Sequence, residues 1–215
     1  MKKKKYVKDL KTTAQYKHFR ENWVPYFFKL PKKHNITDVQ ALLISIISEY
    51  SKLENGCYNG TVQTLRVICN CSASTVMRSL DALVARKLIK KTEKTQDKLP
   101  EYRLNIKLKN EPYIRYYVKD AVKYNLKTTE AIIFSAVVHY SNKPSGVGSI
   151  SCEALKMMVN GSRSTVKRAI SRLVEEEHVH RITRNWQQSV GYTLEPGEVQ
   201  QYKRNLWTNP SRLHI

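Results

Sequence analysis

The sequence predicts a mainly helical α+β fold in which one unit with a small β-hairpin occurs twice. Two windows, residues 72–83 and 162–173, match closely and lie 90 residues apart. The same offset relates residues on both sides of the windows without an insertion, as in Tyr102 and Tyr192. Because a fixed offset over such a span indicates a repeat, we expect two copies of one unit.

Each window predicts an amphipathic helix. A serine stands at the N-cap position, where its hydroxyl can accept a hydrogen bond from a free N–H of the first turn. Apolar residues follow at positions i, i+4 and i+7, which form one stripe at helical period. The caps are Ser72 and Ser162, and the stripes are Val76, Leu80 and Leu83 in the first window and Val166, Ile170 and Leu173 in the second.

The opposite face of each predicted helix carries short polar side chains and cations. Arginine can bind guanine through two hydrogen bonds, and serine or threonine can reach base edges or phosphates. This pattern favours a helix that enters the major groove of double-stranded DNA. The alternative is that the polar side chains simply face water. The occurrence of the same pattern in two copies disfavours that alternative. The candidate DNA-binding residues are Ser72, Ala73, Ser74, Thr75, Met77 and Arg78 in the first window and Ser162, Arg163, Ser164, Thr165, Lys167, Arg168 and Arg172 in the second.

The 215-residue chain is strongly basic, with 38 Lys and Arg against 18 Asp and Glu and a formal net charge of +20. Residues 1–35 hold eleven basic and two acidic residues, while 36–110 and 111–194 each hold twelve basic and seven acidic residues. Such a field favours a polyanion, nucleic acid first and an anionic membrane surface second. Residues 2–20 are either an arm that tracks phosphates or a helix whose charges face water.

Several features predict a cytoplasmic protein with no membrane association. Residues 1–5 resemble the basic start of a signal peptide, but no apolar segment follows them. The longest apolar runs, residues 41–47 and 131–138, are too short to span a bilayer. The four cysteines show no CxxC spacing, so reduced thiols are expected.

The first copy begins with an aromatic, β-prone lead-in, residues 23–30, which Pro25 restricts to an edge or extended strand. A helix capped by Thr37 or Asp38 follows, then a loop with Asn-Gly turn signals, then a short helix capped by Thr61. The expected buried side of the longer helix comprises Ala41, Leu42, Ile44 and Ile47.

The predicted recognition helix starts at Ser72, after a tight turn at residues 70–71, and runs to about Arg86. Two strands, residues 88–91 and 102–106, complete the unit. Two helices, a recognition helix and a two-stranded hairpin form the order of a winged helix-turn-helix. The polar loop of this hairpin and its flank add the DNA-binding candidates Lys91, Lys94 and Lys98.

The second copy is expected to repeat this order with a different lead-in. Residues 112–124 are predicted to form a helix, because proline suits the first turn of a helix and Pro112 stands there. This helix would couple the two domains and limit their relative rotation. Its expected buried residues are Ile114, Val118 and Val122.

The second hairpin is expected to use residues 178–184 and 190–194 as strands. Its tip supplies the last two DNA-binding candidates, Arg184 and Trp186. The indole of Trp186 either packs on a sugar, wedges into a groove or folds back onto its own hairpin.

Each copy resembles the winged helix-turn-helix domains of bacterial, phage and plasmid regulators and replication initiators. The recognition segment of that family typically reads Gly-x-Ser-x-x-Thr-Val-x-Arg-x-x-x-x-Leu. The family's glycine is displaced here, with Gly161 next to Ser162 and Cys71 at the corresponding position of the first copy. The matching residues are Ser72, Thr75, Val76, Arg78 and Leu83, and Ser162, Thr165, Val166, Arg168 and Leu173.

The resemblance implies a tandem layout. It comprises a basic arm at residues 1–21, winged helix-turn-helix domains at 22–110 and 111–194, and a tail at 195–215. It further implies contact with double-stranded DNA. We interpret the chain as a sequence-specific DNA-binding protein, first as a transcriptional regulator of a bacterial or mobile-element operon and second as a plasmid or phage replication initiator. A non-specific architectural or membrane-associated basic protein is the third reading, and a homodimer stays open.

Enzymatic chemistry is weakly represented in the sequence. Residues 178–180 have the His-hydrophobic-His pattern of relaxases, but the repeat register puts them in a hairpin strand. Cys69 and Cys71 lack a second ligand pair at finger-like spacing. We therefore expect no catalytic residues, no metal site and no cofactor.

Overall fold

The computed structural model describes residues 23–53, 57–58, 60–92, 100–141, 150–182 and 191–193. They form a mainly helical α+β fold with short antiparallel strand pairs, as the sequence predicts. The chain divides into two compact units, one ending at Ala131 and the other beginning at Ile132. None of the helices within the described ranges is long and apolar enough to cross a membrane.

The first unit contains most of the elements. In chain order they are β1 (Trp23–Tyr26), α1 (Leu30–His34), α2 (Asp38–Leu53), α3 (Val62–Ile68), α4 (Ala73–Ala85), β2 (Ile89–Lys91), β3 (Tyr102–Leu104), β4 (Ile114–Tyr117) and α5 (Val118–Lys123). Helix α6 (Thr128–Ser141) starts in the first unit and continues into the second. The second unit then contains α7 (Cys152–Met158), α8 (Arg163–Glu175), β5 (His180–Ile182) and β6 (Gly191–Thr193).

Helix α2 is the central element of the first core. Its N-terminus is a capping box, in which the Gln40 N–H donates to Thr37 Oγ1 at 3.2 Å and the Thr37 N–H donates to Gln40 Oε1 at 2.9 Å. Thr37 rather than Asp38 is therefore the cap. The helix contacts β1, β3 and α4, and it ends at Leu53. The predicted apolar positions Ala41, Leu42, Ile44 and Ile47 are all buried.

Helices α3 and α4 follow the predicted sequence of cap, turn and cap. Thr61 accepts from the Thr64 N–H, and Ser72 accepts from the Thr75 N–H at 3.1 Å. Between the helices, Asn70 has a left-handed backbone with φ of 46°, a conformation that asparagine tolerates better than most residues. The predicted stripe of α4, Val76, Leu80 and Leu83, is buried.

The β2–β3 hairpin is shorter than the sequence predicts. Strand β3 ends at Leu104 instead of residue 106, and Ile89 lies opposite Leu104. An isolated bridge joins Tyr102 to Tyr58, with hydrogen bonds of 2.8 and 2.9 Å in the two directions. Most of the loop between the strands, residues 93–99, lies outside the described residues.

The prediction of a helix over residues 112–124 is wrong in its first half. Residues Ile114–Tyr117 form strand β4, and α5 begins only at Val118. Strand β4 alternates buried and exposed side chains, and β1 offers it an antiparallel partner. Backbone pairing and burial on one face therefore outweigh the local helix signal of Pro112. Ile114 and Val118 are buried as predicted, whereas Val122 is only half-buried.

The β1–β4 ribbon has a local two-fold character. Its strands occupy equivalent places in the two repeats, and Pro25 lies directly opposite Arg115, its own counterpart at the 90-residue offset. In the two flanking pairs, each residue lies opposite the repeat counterpart of its neighbour two positions away. They are Val24 with Tyr116 and Tyr26 with Ile114. The lead-in of the second repeat is thus part of the first unit.

The second unit repeats local geometry of the first. Helices α7 and α8 begin and end 90 residues after α3 and α4. Glu177 has a positive φ of 57°, as Lys87 has at the equivalent position. Strand β5 begins at His180 instead of residue 178, and β6 covers Gly191–Thr193. Residues 183–190 and 194, which the two predicted strands also included in part, lie outside the described ranges.

Candidate nucleic-acid interface

A cluster of hydroxyl groups lies at the N-terminus of α4. The Oγ of Ser72 is 2.9 Å from Ser74 Oγ and 2.8 Å from Thr75 Oγ1, in addition to capping the Thr75 N–H. Ser72 and Ser74 are exposed. These hydroxyls therefore keep acceptor and donor capacity on the solvent side, next to the positive end of the helix dipole.

The same cluster occurs at the N-terminus of α8. The Oγ of Ser162 lies 2.7 Å from Ser164 Oγ and 3.0 Å from Thr165 Oγ1, and it accepts from the Thr165 N–H at 3.1 Å. The two copies thus present one hydroxyl arrangement twice.

The exposed face of α4 has little net charge. Ser74, Met77, Arg78 and Asp81 are exposed along it, with Met77 at 55%. The Nε of Arg78 donates to the Ser74 carbonyl at 3.3 Å. Asp81, three residues after Arg78, offsets its charge, and a carboxylate on this face would repel a phosphate backbone. The sequence prediction omitted Asp81, although helical spacing places it on the same face.

The exposed face of α8 is cationic. Arg163, Ser164, Lys167 and Arg168 are exposed, and Ser171 stands where α4 has Asp81. The Nε of Arg163 donates to Glu153 Oε1 at 3.1 Å, and both side chains are about 60% exposed. Such a surface ion pair is worth little in water, so it leaves Arg163 able to change partner.

Arg172 lies apart from the other candidates of α8. It is in the last turn, about 13 Å along the axis from Arg163 at the usual rise per residue. Its Nε donates to Glu176 Oε1 at 2.8 Å. This hydrogen bond, together with the charges of Arg172 and His178, lowers the pKa of Glu176. The structure thus places Arg172 in a local ion pair at the C-terminal end of the helix.

The β2–β3 hairpin contributes two cations that the sequence prediction missed. Lys90 and Arg103 are exposed and lie directly opposite each other in the register, and Lys91 is exposed beside them. Arg103 Nη2 lies 3.8 Å from Glu101 Oε2. This surface ion pair is worth little in water, so both cations can meet a polyanion bound against the hairpin. In the second hairpin the equivalent positions are His180 and Thr193. These two cations could be found only from the strand register, which the sequence alone does not give.

Two cysteines lie in the turn that joins α3 to α4. Cys69 is fully buried and Cys71 is half-buried. A hydrogen bond from the Cys69 thiol lowers the pKa of Cys71, and the nearby charge of Arg66 adds to this effect. The same contact raises the pKa of Cys69, as does burial. Among the described residues, no group of three His, Cys, Asp or Glu side chains is arranged to hold a metal ion.

Four predicted DNA-binding residues lie outside the described ranges, as does the basic arm. They are Lys94, Lys98, Arg184 and Trp186. Of the other candidates, Lys91 is on β2, six cap or begin α4, and seven belong to α8 or its cap.

Comparison with protein-family models gave no match, and comparison with curated protein sequences gave none either.

Proposed function

We propose that this chain is a non-enzymatic, sequence-specific double-stranded DNA-binding protein that acts as a transcriptional regulator. The observation that carries the proposal is the pair α4 and α8. Both helices bury an apolar stripe, cap their N-terminus with an identical hydroxyl cluster and expose the opposite face. Such a helix end suits the major groove, where its first residues reach base edges.

The element order supports the two tandem winged helix-turn-helix repeats predicted at residues 22–110 and 111–194, with the lead-in of the second repeat lying in the first compact unit. In the first repeat α2, α3 and α4 precede the β2–β3 hairpin. The second repeat gives α6, α7, α8 and the β5–β6 pair in the same order, and its helices start 90 residues later. The formal net charge of +20 supplies the attraction to a polyanion that both specific and non-specific DNA binding require.

The chemistry of the two faces suggests a division of roles. Arg163, Lys167 and Arg168 give α8 the side chains that bind guanine in the major groove. The face of α4 is nearly neutral, whereas its hairpin carries Lys90 and Arg103. We therefore assign most base recognition to α8 and assign backbone contacts to the β2–β3 hairpin.

Salt dependence tests whether the chain binds DNA through phosphates. If about eight phosphates are neutralised, log K against log salt concentration has a slope of about −7. A slope shallower than about −3 would contradict the groove-and-backbone arrangement. Measurement of the same slope on random DNA separates the electrostatic contribution from the specific one.

Selection of bound fragments from genomic DNA tests the role. Enrichment of sites that overlap promoters is expected for a regulator. Repeated sites beside an AT-rich region would instead identify a replication initiator, and no enrichment over random DNA would overturn sequence-specific binding.

A further inference from the structure

We propose that the second repeat positions the first candidate recognition helix. Thr128 and Tyr116, which belong to the second repeat, hold the turn that immediately precedes α4. Both are positioning residues, since neither lies on the exposed face of α4. This inference rests on the proposed function for its DNA-binding consequence, but its structural part can be tested without DNA.

Two buried hydrogen bonds carry the proposal. The Tyr116 Oη donates to the Ile68 carbonyl at 3.0 Å, and the Thr128 Oγ1 donates to the Cys69 carbonyl at 2.7 Å. Both contacts are buried. The last carbonyls of a helix have no intrahelical donor and need another partner. The C-terminus of α3 therefore depends on residues from the second repeat.

Backbone N–H groups donate hydrogen bonds to the preceding carbonyls at the C-terminus of α3. Leu65, Arg66 and Val67 accept from the N–H groups of Cys69, Cys71 and Asn70. The carbonyls of Ile68 and Cys69 receive the side-chain hydroxyls instead. A variant that lost one hydroxyl would thus leave a buried carbonyl without its donor, which is costlier than the loss of an exposed hydrogen bond.

A third contact fixes the next residue of the turn. Asn70, with its left-handed backbone, donates from Nδ2 to the Leu126 carbonyl at 2.7 Å. Three consecutive residues, 68 to 70, are therefore held by residues 116 to 128. Ser72, the cap of α4, comes two residues later. A shift of this turn would change the direction in which α4 presents Ser74 and Arg78.

Neighbouring side chains offer matched controls. Thr129 follows Thr128 in the first turn of α6, but its Oγ1 donates to Asp38 Oδ2 at 3.0 Å and does not reach the turn. Tyr26 is the repeat counterpart of Tyr116, and its Oη donates to Asp38 Oδ1 at 3.2 Å. The pair Tyr116→Phe and Tyr26→Phe removes the same group from equally buried side chains, and the pair Thr128→Val and Thr129→Val removes a hydroxyl from a buried and from a half-buried position.

Amide hydrogen exchange of the full chain is the DNA-independent measurement. We expect Thr128→Val and Tyr116→Phe to raise exchange at residues 70–76 by about tenfold, the effect of one lost buried hydrogen bond. The two controls should leave these amides unchanged, and Thr128→Ser should restore protection. Unchanged exchange in both test variants, or an equal rise in the controls, would overturn the proposal.

DNA binding supplies the second measurement. Thr128→Val should weaken binding to the selected site and to random DNA alike by about tenfold, again one buried hydrogen bond, because most base recognition is assigned to α8. Thr129→Val and Thr128→Ser should bind as the unaltered chain does. A wild-type chain without preference over random DNA would reject the proposed function, while the exchange result would still decide whether the second repeat holds the turn. Full binding by a Thr128→Val variant with raised exchange would overturn the positioning role.

Discussion

Helices α4 and α8 are equivalent elements with matching bounds, caps and patterns of buried residues, but with different exposed faces. Their bounds differ by 90 residues at both ends, and their caps and buried stripes correspond position by position. On the exposed face, Met77 and Asp81 of α4 correspond to Lys167 and Ser171 of α8. Folding constrains the interior and the cap, because both are needed for the helix to form and dock. The solvent-facing positions are free of that constraint, so they can differ between the two repeats.

Among the residues whose exposure the structure describes, the two repeats place the cations discussed above on different elements. In the first repeat Lys90, Lys91 and Arg103 are on the hairpin, while α4 is nearly neutral. In the second repeat the exposed cations Arg163, Lys167 and Arg168 are on the helix. Since helices in a groove read base edges and hairpins beside it meet phosphates, the repeats should contribute unequally to affinity and to specificity.

The largest expected effect tests whether the two interiors are equivalent. Leu83 and Leu173 are equivalent and almost fully buried. Leu83→Ala and Leu173→Ala should each lower the free energy of unfolding by about 2–5 kcal/mol, from lost burial and the cavity left behind. Urea denaturation measures this loss. Met77→Ala, at an exposed position, is the control and should change stability by less than about 0.5 kcal/mol. A tolerated Leu173→Ala would show that the second stripe does not support its unit as the first does.

Most of the local fold could be predicted from the sequence, because caps and apolar periodicity depend on neighbours a few residues apart. Ser72, Thr61 and the stripe of α4 are examples. Strand β4 could not be predicted from the sequence, since its conformation depends on pairing with β1, which is distant in the chain. The contact between Thr128 and Cys69 and the opposition of Lys90 and Arg103 are likewise products of tertiary register.

The second prediction separates the two helices by base recognition. Arg168→Ala should weaken binding to the selected site by about 1–3 kcal/mol and relax specificity there. Arg78→Ala, at the equivalent position, should cost less, because Asp81 offsets its charge on the face of α4. Titration against the selected site and random DNA measures both. Equal losses for Arg168→Ala on the two DNAs would identify a phosphate contact, and a larger loss for Arg78→Ala would reverse the assignment of roles.

The third prediction concerns the carboxylate that distinguishes the two faces. Asp81→Ser converts α4 to the residue that α8 has, and Ser171→Asp makes the reciprocal change. Removal of a negative charge near the DNA backbone should strengthen binding by about 1 kcal/mol or less in water. Ser171→Asp should weaken it. Both effects should shrink as salt concentration rises. If neither variant changed affinity at low salt, these faces would not approach DNA.

The smallest effect is expected from modification of a cysteine thiol that occurs only in the first repeat. Cys69 and Cys71 lie in the turn before α4, whereas the equivalent positions before α8 are Val159 and Gly161. The hydrogen bond from Cys69 and the charge of Arg66 lower the pKa of Cys71. Its thiolate therefore forms at a lower pH than that of an ordinary thiol.

Alkylation rates across a pH series measure this difference, because the thiolate is the reactive form. Iodoacetamide should modify Cys71 at lower pH than Cys57, whose pKa is raised by burial and by Glu101. Peptide mass spectrometry gives the rate at each site, and Cys71→Ser identifies the fast one. The adduct lies beside the cap of α4, so it should disturb that helix and leave base recognition by α8 intact. If modification of Cys71 abolished specificity at the selected site, α4 would carry the base recognition assigned to α8.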